Sequence, residues 1–249
     1  MTPQPASRLA MDRSEKPAAT LVSLPIELKQ AILSYLPDLR TLRRAVKAHS
    51  SLKDALKDHS NPIIKQILFR TLPQELLPEA FATHMSKYRE TRNRESVEMI
   101  LCDYFKSLIN PPQQLKFQDA LAIEQFFHII KWFSSIFITR ALRKHPITRE
   151  DQKHWTQPSE SEIRRIERNF YRFELYSNIF RAEDKQRKPI IDEKGQRELF
   201  FSQFAPWENE QLVCVHDCLL QILDICELYC YRKHYQNIDP SSLQRDRRA

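Results

Sequence analysis

The sequence predicts an all-α protein. Its 249 residues include one glycine, Gly195, and fifteen prolines, and tight β-hairpins usually need glycine because it readily adopts positive φ. Apolar residues recur every three or four positions along much of the chain, which is the period of helices that bury one face. Helices interrupted by prolines are therefore predicted. The shortage of glycine also argues against loops that bind nucleotide phosphates.

The N-terminal elements follow from prolines and one capping residue. Residues 1–20 are predicted to be disordered, because they are polar and rich in proline. Pro25 suits the first turn of a helix, and Pro37 ends that helix. Asp38 is a suitable N-cap for a second helix that reaches about residue 48. Residues 21–60 are therefore predicted to form a three-helix segment.

Weaker sequence signals mark the boundaries of the third and fourth helices. Ser50 or Ser51 is the expected N-cap of the third helix, and Pro62 is expected to begin the fourth. Short turns are predicted around Pro73 and Pro78. The three-helix segment is expected to be packed on, or tethered to, a larger helical bundle.

The larger bundle is predicted to occupy residues 61–234. Ser159 and Glu162 have the spacing of a capping box, and Pro206 is expected to begin the last long helix. A charged loop is predicted at 182–197, a short helix follows it, and residues 235–249 are predicted to be a flexible tail. The long helices of the body are expected at about 94–109, 116–144, 159–181 and 206–234.

The first helix has more apolar surface than one core requires. At about 100° per residue, Ile26 and Leu33 fall nearly opposite Leu24. The apolar arc is therefore roughly twice the ~100° stripe of an ordinary surface helix. Its second face is expected to meet either a partner or a second layer of the chain's own core. The residues of the flank that contains Leu24 are Leu24, Leu28, Ala31, Ile32, Tyr35 and Leu36.

The charge distribution and the apolar content argue against a nucleic-acid partner and against a membrane partner. The net charge is +7, but it is spread along the chain, so no nucleic-acid partner is expected. The most apolar run, 121–142, contains Glu124, His128, Lys131 and Arg140. A membrane span needs about 20 mostly uncharged residues. This run is therefore predicted to be a core helix, and no membrane partner is expected.

The cysteines predict free thiols and no metal site. The chain has five cysteines, which favours a reducing compartment, either cytoplasm or nucleus. Four of them, at 214, 218, 226 and 230, fall on one predicted helix. On a continuous helix the outer two lie about 24 Å apart, too far to bind one ion. No catalytic motif accompanies them, so neither a metal, nor a cofactor, nor an enzymatic activity is predicted.

The opening pattern resembles the F-box. Leu24-Pro25-Ile26-Glu27-Leu28 matches its Leu-Pro-x-Glu-Leu start, and Ile32-Leu33 and Leu36-Pro37 follow at the expected spacing, before a leucine-rich second helix. The resemblance implies that these helices dock on the Skp adaptor of a cullin-based ubiquitin ligase. The third helix departs from the family, which usually has a large aromatic residue there. The implied Skp-adaptor-binding residues are Leu24, Pro25, Leu28, Ile32, Leu33, Leu36, Pro37, Leu39, Leu42 and Val46.

A wider resemblance covers most of residues 21–230. Runs such as "NFYRFELYSNIF" and "FFSQFAPWENEQLVCVHDCL" resemble F-box-like proteins of filamentous fungi. The implied function is that of a substrate-recruiting adaptor in a Skp–cullin–F-box ubiquitin ligase, which binds a cullin through the Skp adaptor and an unidentified protein client through the helical body. The alternative is a helical interaction or regulatory protein whose F-box-like helices belong to its own core.

An aromatic stripe on the predicted helix 159–181 is the candidate client-binding region. Aromatic residues from 170 to 180 recur every three or four positions, and arginines interleave with them. Such a stripe is typical of core packing, while a peptide-binding groove is the functional alternative. The candidate residues are Tyr171, Tyr176, Arg168 and Arg172.

Overall fold

The structure is a computed structural model. It describes residues 20–87, 93–106, 109, 111–142, 148, 150–151, 157–180 and 191–236, without the side chains of 142 and 226–236. The predicted N-terminal lead, apart from Thr20, and the tail from 237 onward lie outside these residues, as do parts of the predicted loops.

Ten α-helices and no β-strand occur within the described residues, so the predicted all-α class is confirmed. Three short 3-10 turns and one π-helical turn complete the helical elements. The α-helices are Ile26–Ser34 (α1), Leu39–Ala48 (α2), Ser50–Lys57 (α3), Ser60–Thr71 (α4), Leu77–Lys87 (α5), Arg94–Phe105 (α6), Phe117–Phe137 (α7), Glu160–Phe180 (α8), Glu193–Leu199 (α9) and Pro206–Gln236 (α10).

Helix α3 packs against both α1 and α2, and the three helices pack onto the rest of the chain. α1 also contacts α4, while α2 contacts both α4 and α7. Asp38 caps α2 by accepting a hydrogen bond of 2.6 Å from the Thr41 N–H, as predicted. The predicted serine cap of α3 is wrong. His49 occupies the N-cap position and its Nδ1 accepts from the Ser51 N–H at 3.2 Å.

The region around Pro78 is a helix rather than a turn. A 3-10 turn, Gln74–Leu76, follows Pro73 and leads directly into α5, in which Pro78 is the second residue. Proline is tolerated there because N–H groups of the first helical turn have no acceptor within the helix. Pro78 therefore lies at the start of α5, whereas the sequence pattern predicted a non-helical segment there.

Helix α8 lies at the centre of the body, in contact with α5, α7 and α10. Its predicted capping box is confirmed, since the Ser159 N–H donates to Glu162 Oε2 at 2.7 Å and the Glu162 N–H donates to Ser159 Oγ at 3.4 Å. α7 continues through a π-helical turn, Ile138–Leu142. By length and composition alone, Phe117–Ala141 could cross a membrane, a test that core helices of soluble proteins also pass.

The predicted loop at 182–197 is wrong in its last part, where α9 begins. Asp192 caps this helix by accepting from the Gly195 N–H at 3.0 Å. Gly195 is buried inside α9 rather than in an exposed loop. A Cβ at this position would lie 2.6 Å from Ile191 Cγ2 and 2.9 Å from Asp192 Oδ1. Close approach of neighbouring side chains is therefore the reason for the glycine.

Gly195→Ala is expected to lower the free energy of unfolding by about 1–2 kcal/mol. Overpacking against the branched Ile191 side chain costs about 1–3 kcal/mol, and the better helix propensity of alanine offsets part of this cost. Urea unfolding followed by circular dichroism measures the change. Lys194→Ala is the control, since Lys194 is exposed on the same helix and should change stability by less than about 0.5 kcal/mol. Stabilisation by Gly195→Ala would contradict the packing argument.

Candidate functional site

The inner side of α1 is anchored to the chain. Leu33 is fully buried, and Gln30 Nε2 donates to the Ala55 carbonyl of α3 at 3.1 Å. Arg70 on α4 donates to the carbonyl of Ser34 at 3.1 Å and also to that of Leu36. Carbonyls at the end of a helix have no partner within it, so Arg70 both satisfies them and fixes the direction of α1.

The outer side of α1 is an exposed apolar surface. Leu28, Ile32 and Tyr35 have 51%, 43% and 78% of their surface exposed. The surface is shallow and borders a depression of about 570 Å³. Contiguous apolar exposure of this kind marks contact sites in soluble proteins more often than isolated apolar residues do. This apolar α1 surface is lined by Leu24, Leu28, Ala31, Ile32, Tyr35 and Leu36.

The residues that the F-box resemblance assigns to Skp-adaptor binding differ in their burial. Leu33, Leu39 and Leu42 are fully buried in the chain's own core. They face neighbouring helices, so a partner could touch them only if these helices separated. Leu24, Leu36 and Val46 are partly buried. The remaining residues of the set are exposed, namely Pro25, Leu28, Ile32 and Pro37.

A buried carboxylate connects the N-terminal helices to the body. Glu124 of α7 is 1% exposed, and its Oε1 and Oε2 lie 3.0 and 3.1 Å from the Leu39 backbone nitrogen, which donates to them. Burial raises the pKa of Glu124, although the hydrogen bond from Leu39 opposes the shift. Since Leu39 begins α2, this contact holds the start of α2 on α7.

Tyr171, predicted as a client-binding residue, lies in the core. It is 1% exposed and packs edge-on against Phe126, with 5.6 Å between ring centroids. Tyr176 is partly buried and its hydroxyl donates to Gln196 Oε1 at 2.6 Å. Core packing therefore accounts for Tyr171, which a client could not reach in this structure.

The two predicted client-binding arginines form internal ion pairs. Arg168 Nε lies 3.1 Å from Glu79 Oε1, and Arg172 Nη1 lies 2.8 Å from Glu208 Oε1. The Arg172 guanidinium also covers the Phe204 ring at 4.4 Å from its centroid. Burial raises the pKa of Glu79, against the opposing effect of Arg168. These pairs join α8 to α5 and α10, so they hold the body together.

A cavity of about 260 Å³ lies between the end of α7, α8 and α10. Sequence spacing could not reveal it, because its wall residues come from three helices that are distant in the chain. Among the described residues, no cluster of three or more histidine, cysteine, aspartate or glutamate side chains could hold a metal ion. The cavity is lined by Phe137, Glu162, Arg165, Ile166, Asn169, Gln211, Cys214 and Val215.

Comparison with known proteins found no match. No protein-family model, no curated protein and no solved structure matches it. What the protein does must therefore be inferred from its own structure.

Proposed function

We propose that this protein is a non-enzymatic adaptor that docks on a Skp adaptor through the apolar α1 surface. Through the Skp adaptor it would join a cullin-based ubiquitin ligase, in the cytoplasm or the nucleus, and its helical body would hold a protein client. The observation that carries the proposal is the exposure of Leu28 and Ile32 on a helix that begins with Leu-Pro-x-Glu-Leu.

Hydrophobic burial supports an interface at this place. Leu28, Ile32 and Tyr35 each leave at least 43% of their surface in water, and apolar area removed from water contributes about 25 cal/mol per Å². A standard interface buries about 1,600 Å² in total, much more than one short helix offers. The apolar α1 surface would therefore form the centre of the interface, with neighbouring polar residues at its rim.

The internal anchoring of α1 and α2 suits an adaptor that works by proximity. Arg70 fixes the end of α1, and Glu124 fixes the start of α2 on α7. A client bound to the body would therefore keep a defined distance from the Skp adaptor. Holding a client lysine near a charged conjugating enzyme raises its effective concentration, which is the contribution expected from a scaffold.

A second candidate function is favoured by the complete burial of Leu33, Leu39 and Leu42. These three residues lie in the chain's own core, which supports this candidate. The protein would then be a helical interaction or regulatory protein that binds no Skp adaptor. The two candidates differ in whether the apolar α1 surface binds that partner.

Calorimetry with a purified fungal Skp adaptor tests the proposal. The wild type is expected to bind with submicromolar Kd. The double variant Leu28→Asp, Ile32→Asp is expected to bind at least ~100-fold more weakly, equivalent to about 2.7 kcal/mol, because two carboxylates would have to be desolvated in an apolar interface. Both side chains are exposed, so the fold should survive, and circular dichroism verifies that helicity is unchanged.

The matched control is Met99→Asp, Ile129→Asp. Both residues are apolar and about half exposed, but they lie on α6 and α7 rather than on α1. This double variant carries the same added charge and should bind the Skp adaptor as the wild type does. Absence of wild-type binding, or equal binding by the α1 variant, would reject the adaptor proposal and leave the helical interaction protein.

A further inference from the structure

Helix α2 carries a row of four cations along its outer side. At about 100° per residue, the four positions fall within an arc of about 100°, and the row is about 10 Å long. All four side chains are exposed, whereas Leu39 and Leu42, which face the core, are fully buried. The members of this cationic α2 row are Arg40, Arg43, Arg44 and Lys47.

The cationic α2 row has no counter-charge within the described part of the chain. α2 contains no acidic residue, and Asp38, which precedes it, serves as the N-cap by accepting from the Thr41 N–H. None of the four cationic side chains forms an ion pair or a hydrogen bond with another described residue. By contrast, Arg164, Arg168 and Arg172 of α8 all pair with glutamates. The cations of α2 are therefore available to an anion from outside the chain.

The stability of the helix does not account for the row. Like charges three or four positions apart on a helix repel each other, and the row contains four such pairs. The helix dipole disfavours Arg40 in the first turn, and only Lys47 in the last turn is favoured by it. A bound anion would relieve this repulsion, so the row suits binding better than folding.

The width of the positive surface argues against a nucleic-acid duplex. α3 packs against α2, and its exposed charges, with that of its C-cap, cancel one another. The positive charge is therefore confined to about the width of one helix. A duplex is wider and gains affinity by neutralising many phosphates, of which this row would reach only a few. The cancelling charges are Lys53, Asp54, Lys57 and Asp58.

A membrane surface also fits the row poorly. Peripheral helices that bind anionic lipids combine cations with apolar side chains that enter the headgroup region. Leu39 and Leu42 of α2 are fully buried, so they cannot enter a bilayer while the fold is intact. A narrow protein segment rich in carboxylates matches both the charge and the width of the row.

We propose that the cationic α2 row binds an acidic segment of another protein, in which carboxylates three and four positions apart face the four cations. The guanidinium of an arginine can donate two parallel N–H bonds to one carboxylate. Three of the four members are arginines, so three such contacts are available. The proposal goes beyond docking on a Skp adaptor, because an acidic segment needs no contact with the apolar α1 surface.

Titration calorimetry with a capped acidic peptide tests the proposal. The peptide Ala-Ala-Glu-Ala-Ala-Glu-Glu-Ala-Ala-Glu-Ala-Ala repeats the spacing of the row. The full-length protein is expected to bind it with a Kd of about 1 mM or lower at about 0.1 M salt. At about 1 M salt the Debye length falls from about 10 Å to about 3 Å, so binding should weaken at least tenfold. The same peptide with glutamine in place of glutamate should not bind.

Neutralising the row tests the location of the site. The variant Arg40→Gln, Arg43→Gln, Arg44→Gln, Lys47→Gln is expected to bind the peptide at least about tenfold more weakly, with unchanged helicity and no fall in Tm, because like-charge repulsion is removed. The matched control removes four exposed cations elsewhere and should bind within about twofold of the wild type. Equal weakening in the two variants would show that net charge alone attracts the peptide and would overturn the proposal. The control variant is Lys106→Gln, Lys116→Gln, Arg140→Gln, Arg197→Gln.

Competition separates the acidic segment from other anions. Duplex DNA or phosphatidylserine vesicles are added at the same concentration of negative charge as the peptide, and the peptide is expected to remain bound. Its displacement by either competitor, or absence of peptide binding by the wild type, would overturn the proposal. Leu28→Asn, Ile32→Asn alters the apolar α1 surface without adding charge and should bind the peptide normally, so loss of Skp-adaptor docking and loss of this site are measured separately.

Discussion

Phe200→Ala is expected to lower the free energy of unfolding by about 3–5 kcal/mol, the usual cost of removing a fully buried phenylalanine. Phe200 has no exposed surface. Its ring lies 5.1 Å from that of Phe204, 5.4 Å from Tyr176 and 6.1 Å from Phe180, measured between centroids. The substitution would leave a cavity where the segment after α9 meets α8.

Urea unfolding monitored by far-ultraviolet circular dichroism measures this loss. Phe69→Ala is the matched control, because Phe69 on α4 is 39% exposed and its truncation should cost only about 1–2 kcal/mol. A loss below about 1 kcal/mol for Phe200→Ala would show that the aromatic cluster around Phe200 does not stabilise the fold. The predicted difference in stability between the two variants requires only that neighbouring side chains do not fill the cavity left by the Phe200 ring.

Glu124→Ala is expected to lower the free energy of unfolding by about 2–4 kcal/mol. The substitution removes the acceptor of the buried Leu39 N–H, which costs about 1–3 kcal/mol. It also removes one buried methylene group, which contributes about 0.8 kcal/mol. Chemical denaturation at pH 7 measures the change. A loss below about 1 kcal/mol would show that α2 is held on α7 without this contact.

Glu124→Gln is the conservative control and carries a pH prediction. Glutamine keeps one accepting oxygen and nearly the same volume, so most of the stability should remain. Burial raises the pKa of Glu124 in the folded protein. The folded state therefore favours the protonated acid, and its stability relative to the unfolded state falls as the pH rises from about 4.3, the ordinary value, through the raised pKa.

The pH dependence should therefore differ between wild type and Glu124→Gln. On raising the pH from about 4 to 7, the wild type should lose stability relative to the variant, in which position 124 does not titrate. Denaturation at several pH values across this range measures the difference. The raised pKa of Glu124 would be contradicted if the stability difference between wild type and Glu124→Gln did not depend on pH. It would also be contradicted if the wild type gained stability relative to the variant as the pH rises.

Several local interactions were predictable from the sequence because they join residues three or four positions apart. Asp38 caps α2 and Ser159 pairs with Glu162 as expected, since N-capping depends on short-range geometry. The all-α class followed from periodicity and the near absence of glycine. The loop predicted around Gly195 was an exception. Gly195 lies in α9, where a Cβ would meet Ile191 and Asp192, and composition alone could not show such crowding.

The tertiary structure decided which apolar and charged side chains remain available. Periodicity identified two apolar faces on α1, but only the packed helices show that Leu33 is buried while Leu28 and Ile32 are exposed. The sequence made Arg172 a candidate for client binding. In the structure it forms an ion pair with Glu208, which lies on a helix far along the chain. Sequence determined the helices because their hydrogen bonds are local. Exposure, ion pairing and the cavity depend on residues from different helices, so only their packing could determine them.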